Sequence, residues 1–186
     1  DTVVDTDEEP GRGKIEKLPA LRPAFDREGS ITAGNASTIN DGAAAVSLAA
    51  REVAEAKGWP ILATIVSLAG NAQDPTWFTT APEGAVRKAC DRAGVEATDI
   101  DLHEINEAFA AQVLSCLKGL GQSFDDSRVN MNGGAIALGH PLGASGPRIF
   151  LTAARQLEKT RGKYALATLC VGVGQGTAVV LERMED

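Results

Sequence analysis

The sequence predicts a layered α/β fold, a mixed five-stranded sheet with helices on both faces. Three observations predict it. Apolar, β-branched runs alternate with segments of 3.6-residue period. Glycine or proline opens or closes several of the periodic segments. Two apolar runs stand next to each other near residue 175, which implies a hairpin beside crossover-connected strands.

Residues 1–40 show no sustained period and hold Pro10, Gly11, Gly13, Pro19, Pro23, Gly29 and Gly34, so they read as loop with short extended pieces. Residues 43–50 are small and apolar, the pattern of a buried strand. Residues 51–57 read as a helix closed by Gly58, and Pro60 bars its continuation. The run ILATIVSL, 61–68, is a strand. Residues 82–93 place Ala85, Val86, Ala89, Cys90 and Ala93 on one helical face, with Pro82 in the first turn and Gly94 past the end. A short strand follows at 100–105, then helices at 107–120 and 146–160. Strands at 164–170 and 177–181 flank VGVGQG.

Composition narrows the function classes. The 186 residues carry 18 Lys and Arg against 25 Asp and Glu, a net charge of −7. Nucleic-acid binding calls for a basic surface, so no nucleic-acid partner is expected. No run of about 18 apolar residues marks a membrane span, so no membrane partner is expected either. The first ten residues hold five acids and read as no leader peptide. The three cysteines, Cys90, Cys116 and Cys170, form no CxxC pair, which points to a reduced, cytoplasmic compartment and to no metal site.

Three residues stand at predicted strand ends or loops: Asn106 in HEINEAFA, His140 in NGGAIALGHPLGASG, and Cys170 before VGVGQG. Open α/β sheets place ligands beyond strand ends. Each residue also has a plain structural reading. Asn106 suits a helix N-cap, His140 a surface loop, and Cys170 inert packing. Together they supply an amide donor, a base and a proton-carrying thiol beside glycines whose N–H groups are unobstructed, a set suited to acyl or carbanion chemistry at a carbonyl. A cationic neighbour or helix N-terminus would bring the Cys170 thiol toward neutral pH.

Four segments in order, ITAGNASTINDGAAAV, NEAFA, NMNGGAIALGHPLGASG and CVGVGQGTAVVLER, resemble the thiolases, coenzyme A-dependent acyltransferases that condense or cleave 3-ketoacyl-CoA. The resemblance implies that His140 activates the nucleophile and helps to bind a thioester oxygen. It implies that Cys170 exchanges the α-proton, that Asn106 holds a water at the enolate oxygen, and that the Gly172 N–H serves a second oxyanion hole. Coenzyme A or acyl-CoA is implied as substrate, with no tightly bound cofactor. It would lie across Phe25, Ala33, Ser37, Ala108 and Phe109, with Arg12 near the nucleotide phosphate.

The family's nucleophilic cysteine has no counterpart here. The resemblance therefore covers the second half of a thiolase: a remnant of the loop domain at 1–39, the last strand and helix of the N-terminal domain at 40–60, and the C-terminal domain at 61–186. A first-half polypeptide is the expected partner, in a homo- or hetero-oligomer. The chain alone is expected to be inactive. The competing reading is a non-catalytic module that binds acyl-CoA. A ketoacyl synthase relative fits less well, because Cys170 stands where those enzymes usually use a second histidine.

Overall fold

The computed structural model describes residues 2–184. Its helices are α1 (Glu9–Arg12), α2 (Arg51–Ala56), α3 (Ala81–Ala93), α4 (Ala110–Gly119), α5 (Ala135–Leu138) and α6 (Leu142–Thr160). Its strands are β1 (Thr64–Ala72), β2 (Leu102–Ile105), β3 (Tyr164–Val171) and β4 (Gln175–Glu182). Short 3-10 turns occupy Ile15–Ala20, Pro75–Thr80, Ala97–Asp99 and Gly172–Gly174.

The sheet order is β1-β4-β3-β2. β2 and β3 run parallel, and β4 runs antiparallel to both β3 and β1. Side chains alternate across the pleat, which gives the two faces separate cores. Leu166, Ala178 and Val180 meet Ala85, Val86 and Ala89 of α3 on one face. Ala165 and Leu181 meet Ala153, Ala154 and Leu157 of α6 on the other. Val113 and Leu117 of α4 pack on Ile105. The sheet is mixed and carries helices on both faces.

Four strands stand where five were expected. Residues 43–50 run without a strand partner, and Leu48 is 71 % exposed. A small apolar run becomes a strand only where a neighbouring strand accepts its ladder, and none of the described residues does so here. The far edge beside β2 falls short of a fifth strand as well. His103 N–H donates to Arg128 O (2.9 Å) and Asn130 N–H to His103 O (2.8 Å), forming one isolated bridge at Val129. Asn130 then turns away at φ 47°.

Boundaries moved for physical reasons. α3 matches its expected span to within one residue, with Pro82 in the first turn and Gly94 at φ 69° past the end. β1 starts at Thr64 because Leu62 and Ala63 turn onto the α6 core. α6 starts at Leu142 rather than 146, since Ala144 and Ser145 are buried and hold the first turn in place. α4 starts only at Ala110.

β1 is the outer strand on its side of the sheet, and its register slips between Ile65 and Ser67, a β-bulge. A groove of about 680 Å³ lies between residues 45–49, residues 59–65 and Phe150, Leu151 and Ala154 of α6. Among the described residues, no helix is long and apolar enough to cross a membrane.

Candidate active site

β2 and β3 end together. Ile105 pairs with Thr168, and the Asn106 N–H continues the ladder to Thr168 O at 3.0 Å, two residues before Cys170. Asn106 and Cys170 thus arrive at the carboxyl ends of neighbouring parallel strands, where such sheets place ligands. Asn106 does not cap the next helix. Phe109 is the N-cap of α4, and residues 106–109 form the loop between strand and helix.

His140 reaches the same place from the glycine-rich loop. Asn106 Nδ2 lies 3.4 Å from His140 Nε2. The other ring nitrogen, Nδ1, is 2.6 Å from Ser145 Oγ, and that hydroxyl donates to Pro141 O at 3.1 Å. Because the hydroxyl proton is used on Pro141, Ser145 accepts from Nδ1–H. Nε2 is left as the lone-pair nitrogen facing the Asn106 amide. Burial first, and then the Arg148 charge, lower the His140 pKa and favour the neutral ring. Asn106 is 2 % exposed, and its Oδ1 has no partner among the described residues. A buried amide oxygen of this kind is a ready acceptor for a water or substrate group.

The loop carrying Asn106 is pinned from below. Asn130 Oδ1 accepts from Ile105 N (2.8 Å), and its Nδ2 donates to Ile105 O (2.9 Å) and Glu107 Oε1 (3.2 Å). Glu107 Oε2 accepts the Ile136 N–H at 3.1 Å. A Cβ on Gly134 would stand 2.1 Å from the Glu107 carboxyl carbon, so a larger residue there would displace the carboxylate from these contacts.

Cys170 is 9 % exposed and pairs across the hairpin with Gly176. Burial raises its pKa, and no cation offsets this. The condition for a thiol drawn toward neutrality is therefore not met, and these surroundings favour the protonated thiol. Cys90 and Cys116 are buried thiols pushed up to about 11 by burial. Gly172 lies open in the turn, with nothing within 4 Å of where a Cβ would be.

The residues expected to meet coenzyme A divide into two groups. The Ser37 N–H and Oγ both donate to Ala108 O, at 3.1 and 3.2 Å, and Ala36 bridges Phe109. Ser37, Ala108 and Phe109 thus adjoin Asn106. Phe25 is 79 % exposed and Ala33 is exposed, and no hydrogen bond or bridge among the described residues ties either to His140. Arg12 is exposed and ion-paired with Glu8 and with Glu9 (2.8 Å).

Sequence reasoning missed Ser145, Asn130, Arg148 and Asn40, whose Oδ1 accepts the His140 N–H at 3.1 Å. Ser145 had a usable signal, a serine five residues after His140 inside the same motif. The others depend on how distant loops meet. The second histidine, His103, is wholly buried, and its Nε2 lies 2.8 Å from Gln122 Nε2. Burial lowers its pKa to about 4, so it is a neutral core residue. Among the described residues, no cluster of three or more His, Cys, Asp or Glu side chains is arranged to hold a metal ion.

Comparison with known proteins adds an independent finding. The family profile of the thiolase C-terminal domain matches residues 59–183, and that of the thiolase N-terminal domain matches residues 1–52. An acetyl-CoA acetyltransferase of Pseudomonas aeruginosa is 51 % identical over 180 residues, covering 96 % of this chain and 45 % of that protein. A beta-ketoadipyl-CoA thiolase of Acinetobacter baylyi is 49 % identical over 183 residues, covering 98 % and 46 %. The crystal structure of the Bacillus anthracis acetyl-CoA acetyltransferase superposes with a TM-score of 0.91 at 42 % identity, over 96 % of this chain and 45 % of that one. Human mitochondrial 3-ketoacyl-CoA thiolase in complex with CoA gives 0.87 at 36 % identity, over 97 % and 46 %. The chain spans less than half the length of these relatives.

Proposed function

The chain belongs to the thiolase family, and from that premise we propose that it supplies the C-terminal portion of an enzyme that moves an acyl group to or from coenzyme A. The reaction is thiolytic cleavage or Claisen condensation of a 3-ketoacyl-CoA, with acetoacetyl-CoA as the substrate. The observation that carries this reading is the Asn106 amide 3.4 Å from His140 Nε2, at the strand end that also holds Cys170.

Each group then has one task. The first-half cysteine gives its thiol proton to the Nε2 lone pair and becomes the thiolate that takes the acyl group. The new Nε2–H, beside the Asn106 amide, donates to the carbonyl oxygen where negative charge collects. One such donor is worth about 3–4 kcal/mol. During cleavage Cys170 delivers its proton to the α-carbon of the departing enolate, and in condensation it takes that proton back. Burial, which holds Cys170 protonated, favours the delivering role at rest. The Gly172 N–H serves the second oxyanion. The pantetheine arm runs past Ser37, Ala108 and Phe109, while Phe25, Ala33 and Arg12 border its outer end.

The N-terminal half of a thiolase is the partner in this reading. It covers the groove beside residues 45–49 and supplies the missing nucleophile within a cytoplasmic oligomer. The test is thiolysis of acetoacetyl-CoA by this chain alone and mixed with a first-half chain from a relative. Turnover only in the mixture is expected. Coenzyme A binding without turnover in the mixture would favour a non-catalytic module. Acetylation of Cys90 or Cys116 at the turnover rate, read by mass spectrometry, would contradict the need for a partner.

A further inference from the structure

The peptide group joining Gly139 to His140 is held at both ends. Its N–H donates to Thr38 O at 2.9 Å and to Asn40 Oδ1 at 3.1 Å. Its C=O accepts from Arg148 Nη2 at 2.9 Å. Gly139 is buried at φ 86°, and a Cβ there would stand 2.3 Å from Asn40 Oδ1, so the loop is pressed onto Asn40 and its carbonyl is shielded from water. A buried carbonyl needs a donor, and a half-buried arginine on the second turn of α6 provides it. We propose that Arg148 is a positioning residue for His140, clamping the loop through the Gly139 carbonyl and standing as the fixed positive charge beside the imidazole.

The neighbouring charges leave that role to Arg148. From α1, Glu9 is engaged by Arg12 and by Asn40 Nδ2 at 3.1 Å. Asp41 lines the cleft beside Pro141. From the stretch between β2 and α4, Glu107 is held by Asn130 and by the Ile136 N–H. Glu104 lies buried near Arg148, and burial pushes its carboxyl up to about 7, so near neutrality it cancels the guanidinium charge only in part. The β3 end contributes Cys170, an uncharged thiol at rest. Arg148 is the charge that lowers the His140 pKa after burial itself. A proton acceptor that must be vacant before each turnover benefits from such a neighbour.

The inference rests on the thiolase reading only in its kinetic arm. The chain has two histidines, so an NMR titration of the imidazole Cε1–H resonances reads both, with buried His103 as the reporter of folding. Arg148→Gln is expected to raise the His140 midpoint toward the ordinary imidazole range, and Arg148→Lys, which keeps the charge, to leave it near the wild-type value. In the mixture with a first-half chain, the acid limb of kcat/KM should move upward in Arg148→Gln and stay in place in Arg148→Lys. An unchanged His140 midpoint in folded Arg148→Gln overturns the proposal. So does loss of the buried His103 signal in both variants, which would make Arg148 a fold determinant instead. Absence of thiolysis by the wild-type mixture would sink the functional reading, while the NMR result still decides the role of Arg148.

Discussion

Glu104 is the side chain whose replacement should change stability most visibly with pH. It is 4 % exposed on β2, and its carboxyl has no hydrogen-bond partner among the described residues. Burial raises its pKa from 4.5 to about 7, while Arg148 pulls the other way and Glu107 adds a little to the rise. A carboxyl raised on folding binds its proton more tightly in the native state. Its contribution is therefore complete below pH 4.5 and lost as pH climbs through 7. At about 1.4 kcal/mol per pH decade, the loss amounts to about 3 kcal/mol. Glu104→Gln keeps the shape of the protonated acid and never ionises. The variant should match wild type at about pH 4 and exceed it by about 3 kcal/mol at about pH 8 and above. Urea unfolding of both proteins from about pH 4 to about pH 8.5 measures the difference directly. His103, with its pKa lowered from 6.5 to about 4, weakens both proteins alike as pH falls below 6.5, so its effect cancels in the comparison. A difference independent of pH would show that Glu104 ionises as in water. A variant less stable than wild type in the alkaline arm would show a net ion pair with Arg148. Either result refutes the reasoning.

Two neighbouring residues in the β3–β4 turn should respond in opposite directions. Val173 is 75 % exposed at φ 62°, a left-handed conformation that a β-branched residue adopts only under strain. Val173→Gly should stabilise the protein by about 1 kcal/mol, read as a rise in Tm, and a fall would contradict the strain argument. Gly174 sits at φ 91°, where an added Cβ would stand only 2.1 Å from the backbone oxygen of Gln73. Gly174→Ala should cost at least about 2 kcal/mol in chemical denaturation, and a neutral effect would show that the turn gives way freely.

Much of the fold was legible because local rules and tertiary packing agree. α3 carries its own start, period and stop in Pro82, the Ala85–Val86–Ala89 face and Gly94. The β3–β4 hairpin is legible from two apolar runs separated by glycines. Residues 43–50 misled because their composition speaks of burial, and burial depends on what lies opposite. α6 was read four residues short because Gly143 looks unhelical and Pro147 suits a first turn, yet buried Ala144 and Ser145 stabilise the earlier turn by packing. The motifs marked Asn106, His140 and Cys170, but they do not reveal the grip on His140. That grip joins Thr38 and Asn40 to a helix about a hundred residues later, a relation written in no local pattern.

The bulge in β1 bears on how this protein behaves in crowded solution. A regular outer strand nine residues long would offer foreign chains an unbroken rail for backbone pairing. The slip between Ile65 and Ser67 throws that rail out of step near its start and increases its local twist. An intruding strand can align with one side of the kink or the other, not with both. Each copy therefore presents an interrupted template: the slip bars in-register pairing across Ile65–Ser67 and leaves only Ser67–Ala72 as a regular edge.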